Sequence, residues 1–184
     1  MSCTKKFRAN NNNLCTSIRG IKCSVASPGK GICGEKMARV LIVYHTLSGN
    51  TEKMAQAYAE GAKSVQGTEV VIKKALDATL EDLIGCDAIA LGSADYFSYI
   101  AGALKDFFDR TYYPSQGKVT GKPYAAFATG GRGGETALEV LDRICGSFKF
   151  EKAVEGVTVA RAPSPEVLVK CNEAGKKLAK AAAK

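Results

Sequence analysis

The stretch "HTLSGNTE" (45–52) sets three hydroxyls, an amide and a glycine within six positions: Thr46, Ser48, Gly49, Asn50 and Thr51, with Leu47 between them. It follows the apolar run "RVLIVY" and precedes a segment with helical spacing. A helix N-terminus leaves about four backbone N–H groups unpaired and carries a partial positive charge, so it suits an anion. Hydroxyl and amide side chains add neutral donors there, and a glycine lets the backbone come close. The chemistry implied is a cage for a single phosphate. The pattern G-x-x-x-x-G-K-[ST] is absent together with its lysine, and so is G-x-G-x-x-G, which argues against a triphosphate. Ordinary N-capping by Asn50 or Thr51 accounts for one or two of these residues, not for five.

Two later segments are equally unusual. "SADYFSY" (93–99) holds Ser93, Ala94, Asp95, Tyr96, Phe97, Ser98 and Tyr99. Aromatic rings stack on a flat conjugated ligand with about 0.5–1.5 kcal/mol beyond their burial, although one or two could instead cap a core, Phe97 above all. "TGGRGG" (129–134) runs Thr129, Gly130, Gly131, Arg132, Gly133, Gly134, so its N–H groups can approach a ligand closely. Arg132 either stabilises negative charge on that ligand or points to solvent. His45, the only histidine, can act as a general base near neutral pH or hydrogen-bond to backbone. Residues 37–184 contain no Ser–His–Asp, Cys–His or metal-ligand pattern, so the chemistry is expected from a cofactor.

Strands and helices must hold these segments. "RVLIVY" (39–44) and "AIALGS" (88–93) are continuous apolar runs, expected of strands buried on both faces. "EVVIKK", "YAAFATG" and "GVTVARA" add three more. Helices are expected over 51–65, where Met54, Tyr58 and Ala62 share a face, and over 101–112, on the stripe Ala101, Leu104, Phe107, Phe108, Thr111. A short helix in "ATLEDLIGCD" has capping-box spacing at Thr79 and Asp82. Another follows Ala137, Leu141, Ile144 and Phe148, and a last one opens on Ser164-Pro165. Strands alternating with helices imply parallel pairing through right-handed crossovers, hence an α/β sandwich. Ligands of such sheets sit beyond the carboxyl ends of the strands, where the loops after strands one, three and four belong.

"HTLSGNTE" resembles the phosphate loop of the flavodoxin family, roughly [ST]-x-[ST]-G-x-T. "GSADYFSYIAGALKDFFDRT" is similar to the family stretch G-S-P-x-Y-x-G-x-x-x-x-x-L-K-x-F-x-D-R, and "ATGGRGGETAL" looks like its second flavin loop. The resemblance covers most of 38–184, with the motifs in family order. It implies a flavodoxin-like three-layer sandwich whose five-stranded parallel sheet has the order 2-1-3-4-5. It implies FMN as cofactor, held by 46–51, 93–99 and 129–133, the last presenting donors to the O2, N3 and O4 edge of the ring. Two departures bear on flavin affinity and potential. Ala94-Asp95 stand where relatives often have Pro-Thr, and Ser98-Tyr99 where many have Gly-Asn. A carboxylate near the ring would accept from N3–H but repel a reduced, anionic N1. The expected function is electron transfer between redox partners, with a length matching the short flavodoxins that lack an insertion in the last strand. An NAD(P)H-dependent quinone or flavin oxidoreductase of the same fold is the alternative, and a flavin-free binding module the second.

The bulk numbers fit one globular domain plus an extension. The chain has 184 residues, 46% hydrophobic and 24% charged. Of its net charge of +8, +6 belongs to residues 1–36 (seven Lys/Arg against Glu35) and +2 to the rest, which argues against a nucleic-acid partner. Cys3, Cys15, Cys23 and Cys33 also lie in 1–36, without the short C-x-x-C pairs of zinc or iron–sulfur sites. That segment is expected to be a disordered or removable extension ahead of a domain at 37–184, with a metal site or a transit peptide as the other readings. An odd cysteine total and no apolar leader point to a reducing, cytoplasmic setting. No run approaches a membrane span. The expected partners are a redox protein, or NAD(P)H with a quinone-like acceptor, and the expected state a monomer or small homo-oligomer.

Overall fold

The computed structural model describes residues 37–184. The expectations for 1–36, including its four cysteines, lie outside the described residues.

In chain order the elements are β1 (Ala38–Tyr44), α1 (Asn50–Lys63), β2 (Thr68–Lys74), α2 (Leu80–Gly85), β3 (Ala88–Tyr96), β4 (Tyr99–Ile100), α3 (Gly102–Ser115), β5 (Pro123–Gly130), α4 (Glu135–Ser147), β6 (Glu151–Lys152), β7 (Val157–Ala160) and α5 (Pro165–Ala182). The sheet runs β2-β1-β3-β5, with β6 and β7 both pairing in parallel with β5. Register is continuous across its centre, Ile42 facing Ile72 on one side and Ala90 on the other.

Three layers follow from the burial of alternate side chains. Leu41 and Val43 of β1 pack into a core with Leu83, Leu104, Phe107 and Leu141 of α2, α3 and α4. Val40 and Ile42 face Met54, Tyr58 and Ala62 of α1 and Leu178 of α5. A fully buried Leu or Ile contributes about 1.5–3 kcal/mol, which is why β1 and β3 carry unbroken apolar runs. Tyr58 stacks on Phe127 of β5 with ring centroids 4.7 Å apart. Its buried hydroxyl has no hydrogen-bond partner among the described residues, at a cost of about 1–3 kcal/mol.

Local sequence signals set the helix ends. Thr79 and Asp82 form the reciprocal capping box that opens α2, and Lys73 reaches Asp82 at 2.7 Å. The Ser164 hydroxyl accepts from Val167 N–H at the start of α5, with Pro165 in first position.

Two strands differ from expectation. The fifth strand, expected over 156–162, forms as β7, and a further two-residue strand, β6, pairs with β5 ahead of it. Between them the chain leaves the ladder and buries Val154 against the α1/α5 side. With β6 and β7 taken together and the two-residue β4 set aside, the order is the expected 2-1-3-4-5. The third strand continues past Ser93 to Tyr96, because β4 folds back on it in antiparallel pairing.

Candidate cofactor site

The segment after β1 closes on itself before it opens α1. Gly49, the N-cap, has φ +81°, a left-handed conformation that favours glycine. Its N–H donates to Thr46 Oγ1 at 2.9 Å. No side chain among the described residues caps the helix, and neither Asn50 nor Thr51 serves as the N-cap. The N–H groups of Asn50, Thr51 and Glu52 have no acceptor among the described residues, which leaves the orphan donors an anion requires. Glu52, the acid nearest these donors, accepts from Tyr44 OH at 2.7 Å. Burial, then that hydrogen bond, push the tyrosine pKa up to about 12.

Thr51 does not reach outward. It is buried, and its hydroxyl lies 2.9 Å from that of Thr129. This contact between residues 78 apart joins the segment after β1 to the end of β5.

The second segment is a hairpin. Tyr96 pairs with Tyr99 across a two-residue turn, Phe97-Ser98, whose φ values are +56° and +60°. Such turns favour Asn-Gly, and a larger residue in this region costs about 1–2 kcal/mol. Phe97 is fully exposed at the tip rather than packed in the core. Ser93 is buried, with both hydroxyl contacts internal: it donates to Ala94 O at 2.8 Å and accepts from Ala101 N–H at 2.9 Å. It anchors the return of the hairpin into α3.

The glycine segment divides in two. Gly130 must be glycine because a Cβ there would meet Gly133 O at 2.6 Å and Asp95 Cβ at 3.1 Å. Gly133 and Gly134 are turned toward Glu135, whose carboxylate accepts from Gly134 N–H at 2.8 Å and from Thr158 Oγ1 at 3.0 Å. Those bonds hold its carboxyl below the usual range, the backbone N–H first. Arg132 is exposed at the tip.

The three segments meet around one cleft of about 320 Å³ at the carboxyl edge of the sheet. Leu47, Ser48 and Asn50 line it from the first, Ala94, Asp95 and Tyr96 from the second, and Thr129, Gly130 and Gly131 from the third. Thr46, Gly49 and Thr51 shape the first segment from behind, while Ser93, Phe97, Ser98, Tyr99, Arg132 and Gly133 stand off the wall. Arg161, which the sequence reading passed over inside "GVTVARA", completes the lining. Glu135, directly after the glycine segment and bonded to Gly134 N–H, was missed too; Arg161 carries no local signal, since it reaches the site only through the pairing of β7 with β5. A larger hollow of about 860 Å³ sits among Met37, Arg39, Cys86 and Lys122, and none of the three segments borders it. No cluster of metal-ligating side chains occurs among the described residues.

Uncapped helix donors, the Ser48 hydroxyl and the Asn50 amide beside a glycine wall fit a phosphate ester carrying a flat polar ring. The fold and cleft define an α/β mononucleotide-binding protein of doubly wound topology. The family model for flavodoxin matches residues 42–175, and the chain belongs to the flavodoxin family. FMN is its cofactor. Over 123 residues it is 38% identical to a flavodoxin of Aquifex aeolicus (strain VF5), covering 66% of this chain and 66% of that protein. The aligned part thus spans slightly under two thirds of that relative. A flavodoxin from the domain Archaea superposes with a TM-score of 0.70 at 26% identity, over 79% of this chain and 99% of that one. The rubredoxin oxygen:oxidoreductase of Desulfovibrio gigas shares the fold at a TM-score of 0.69 and 20% identity. It matches 80% of this chain but only 37% of its own length.

Proposed function

We propose that this chain shuttles electrons between redox protein partners through FMN held in the 320 Å³ cleft. The observation that carries the reading is the convergence of the segments after β1, β3 and β5 on one cleft whose helix donors are uncapped. FMN, when bound, supplies the redox chemistry. The N–H groups of Asn50, Thr51 and Glu52, with Ser48 and Asn50, bind its phosphate. The Thr51–Thr129 contact keeps the phosphate end in register with the glycine wall. Tyr96 and Asp95 border the ring, and the Gly130-Gly131 backbone faces its polar edge. Leu47, Phe97 and Tyr99 remain exposed beside the cleft and suit contact with a partner that must approach the flavin closely.

The test is reduction of the FMN-loaded full chain. Reduction by NAD(P)H only when a separate reductase is added, with electrons then passed to a second redox protein, is the expected result. Steady oxidation of NAD(P)H by the chain alone with a quinone would instead make it an oxidoreductase. A chain that binds no added FMN would leave neither redox role standing.

A further inference from the structure

Arg161 leaves the sheet at the end of β7, beside the glycine wall. Its N–H donates to Gly130 O at 2.7 Å, and it holds φ +63°. A non-glycine residue in that region is uncommon, and such positions gather at functional sites. Its side chain is exposed, lines the cleft, and makes no hydrogen bond or ion pair among the described residues. Nothing structural in the described fold uses the guanidinium.

Its place in the sheet says which end of the ligand it addresses. Along β1, β3, β5 and β7, three strand spacings separate the phosphate segment from residue 161, about 14 Å. The charge therefore stands at the ring end of the cleft, with Asp95 the acid on the same wall. Reduction of oxidised flavin by two electrons from the redox partner, with uptake of one proton, adds one negative charge to the ring. Asp95 opposes that charge and a guanidinium favours it.

We infer that Arg161 raises the reduction potential of the bound FMN by favouring its reduced, anionic form against Asp95. This rests on the proposed placement of FMN in the cleft. Arg161 acts on the ring and leaves the phosphate to the α1 donors.

The experiment compares Arg161→Gly and Arg161→Lys with the wild-type full chain. It reads the Kd of oxidised FMN, the Kd of riboflavin and the two-electron midpoint potential. Glycine suits φ +63° and removes the charge, so folding is not compromised. In Arg161→Gly, oxidised FMN should bind within about twofold while reduced FMN binds about tenfold more weakly, a midpoint about 30 mV lower. Arg161→Lys should recover most of that shift, and added salt should shrink the difference between the charged and uncharged forms. An unchanged midpoint in Arg161→Gly overturns the inference. So does an equal loss for oxidised and reduced FMN that spares riboflavin, because the arginine would then serve the phosphate. If the wild-type chain itself binds no FMN, the proposed function fails first; a moved Kd with an unmoved midpoint counts against Arg161 alone.

Discussion

His45 stands where the first segment leaves β1, its N–H donating to Gly92 O at 3.0 Å and its ring meeting Tyr96 edge-on at 6.2 Å. Burial, then the nearby charge of Lys74, lowers its pKa from the ordinary 6.5. It is therefore neutral at pH 7, packed against a tyrosine of the cleft, and no general base is needed to explain it. A histidine whose folded pKa is depressed contributes stability that is whole above its unfolded value. That contribution is lost as pH falls from there toward the folded value, because the unfolded chain takes the proton first. As the only imidazole in the chain, it gives an isolated NMR titration, expected to have its midpoint below 6.5. The decline in folding stability on acidification below that pH should flatten in His45→Gln. A midpoint at or above 6.5 would mean the ring is more solvated than its packing implies. The sequence left a general-base role and a hydrogen bond to backbone both open for this histidine, because the Gly92 and Tyr96 contacts come from β3 and are not visible in it.

Helices α1 and α5 cross where Gly61 faces the Asn172 carbonyl and Gly175 faces the Tyr58 carbonyl, and a Cβ at either position would overlap that backbone oxygen. Both helices were legible from periodicity, as were the buried faces of β1 and β3. The crossing was not, because a glycine inside a helical pattern reads locally only as a cost of about 1 kcal/mol. Gly175→Ala would ordinarily stabilise a helix by that amount. Here it should destabilise the protein by about 1–3 kcal/mol, since backbone on the opposite helix has no free rotamer with which to yield. Urea unfolding reads this as a lower midpoint with an unchanged slope, and a raised midpoint would mean that the helices separate at little cost. The short β6 escaped notice for a related reason, because Glu151 and Lys152 are exposed charged residues with no strand pattern of their own. Val154, between β6 and β7, joins the core, and a lone apolar residue outside any periodic run gives no sign that it will. Arg161 belongs to the same class, its importance fixed by β7 lying beside β5.

For the molecule as a whole, the cleft exists only when the fold is complete. Its walls come from three segments spread between Leu47 and Gly131, with Arg161 further still, and two are tied by the buried Thr51–Thr129 contact. The unfolded chain offers FMN no such arrangement, so binding is linked to folding. At a free FMN concentration a hundred times Kd, that linkage stabilises the native state by about 2.7 kcal/mol. For a domain of this size each kcal/mol raises Tm by about 2–4 °C, so saturation should raise it by roughly 5–11 °C. Stripping the cofactor should lower it by the same amount. The phosphate cage makes the prediction sharper than simple ligand stabilisation. Riboflavin, with the same ring and no phosphate, should give a clearly smaller shift at equal concentration. Ser48→Ala with Asn50→Ala should bring the FMN shift down toward the riboflavin one while leaving the unliganded Tm nearly unchanged, because neither side chain caps α1. Equal shifts from FMN and riboflavin would mean that the donors at the start of α1 do not hold the phosphate, and the ring end of the cleft would have to account for all of the binding.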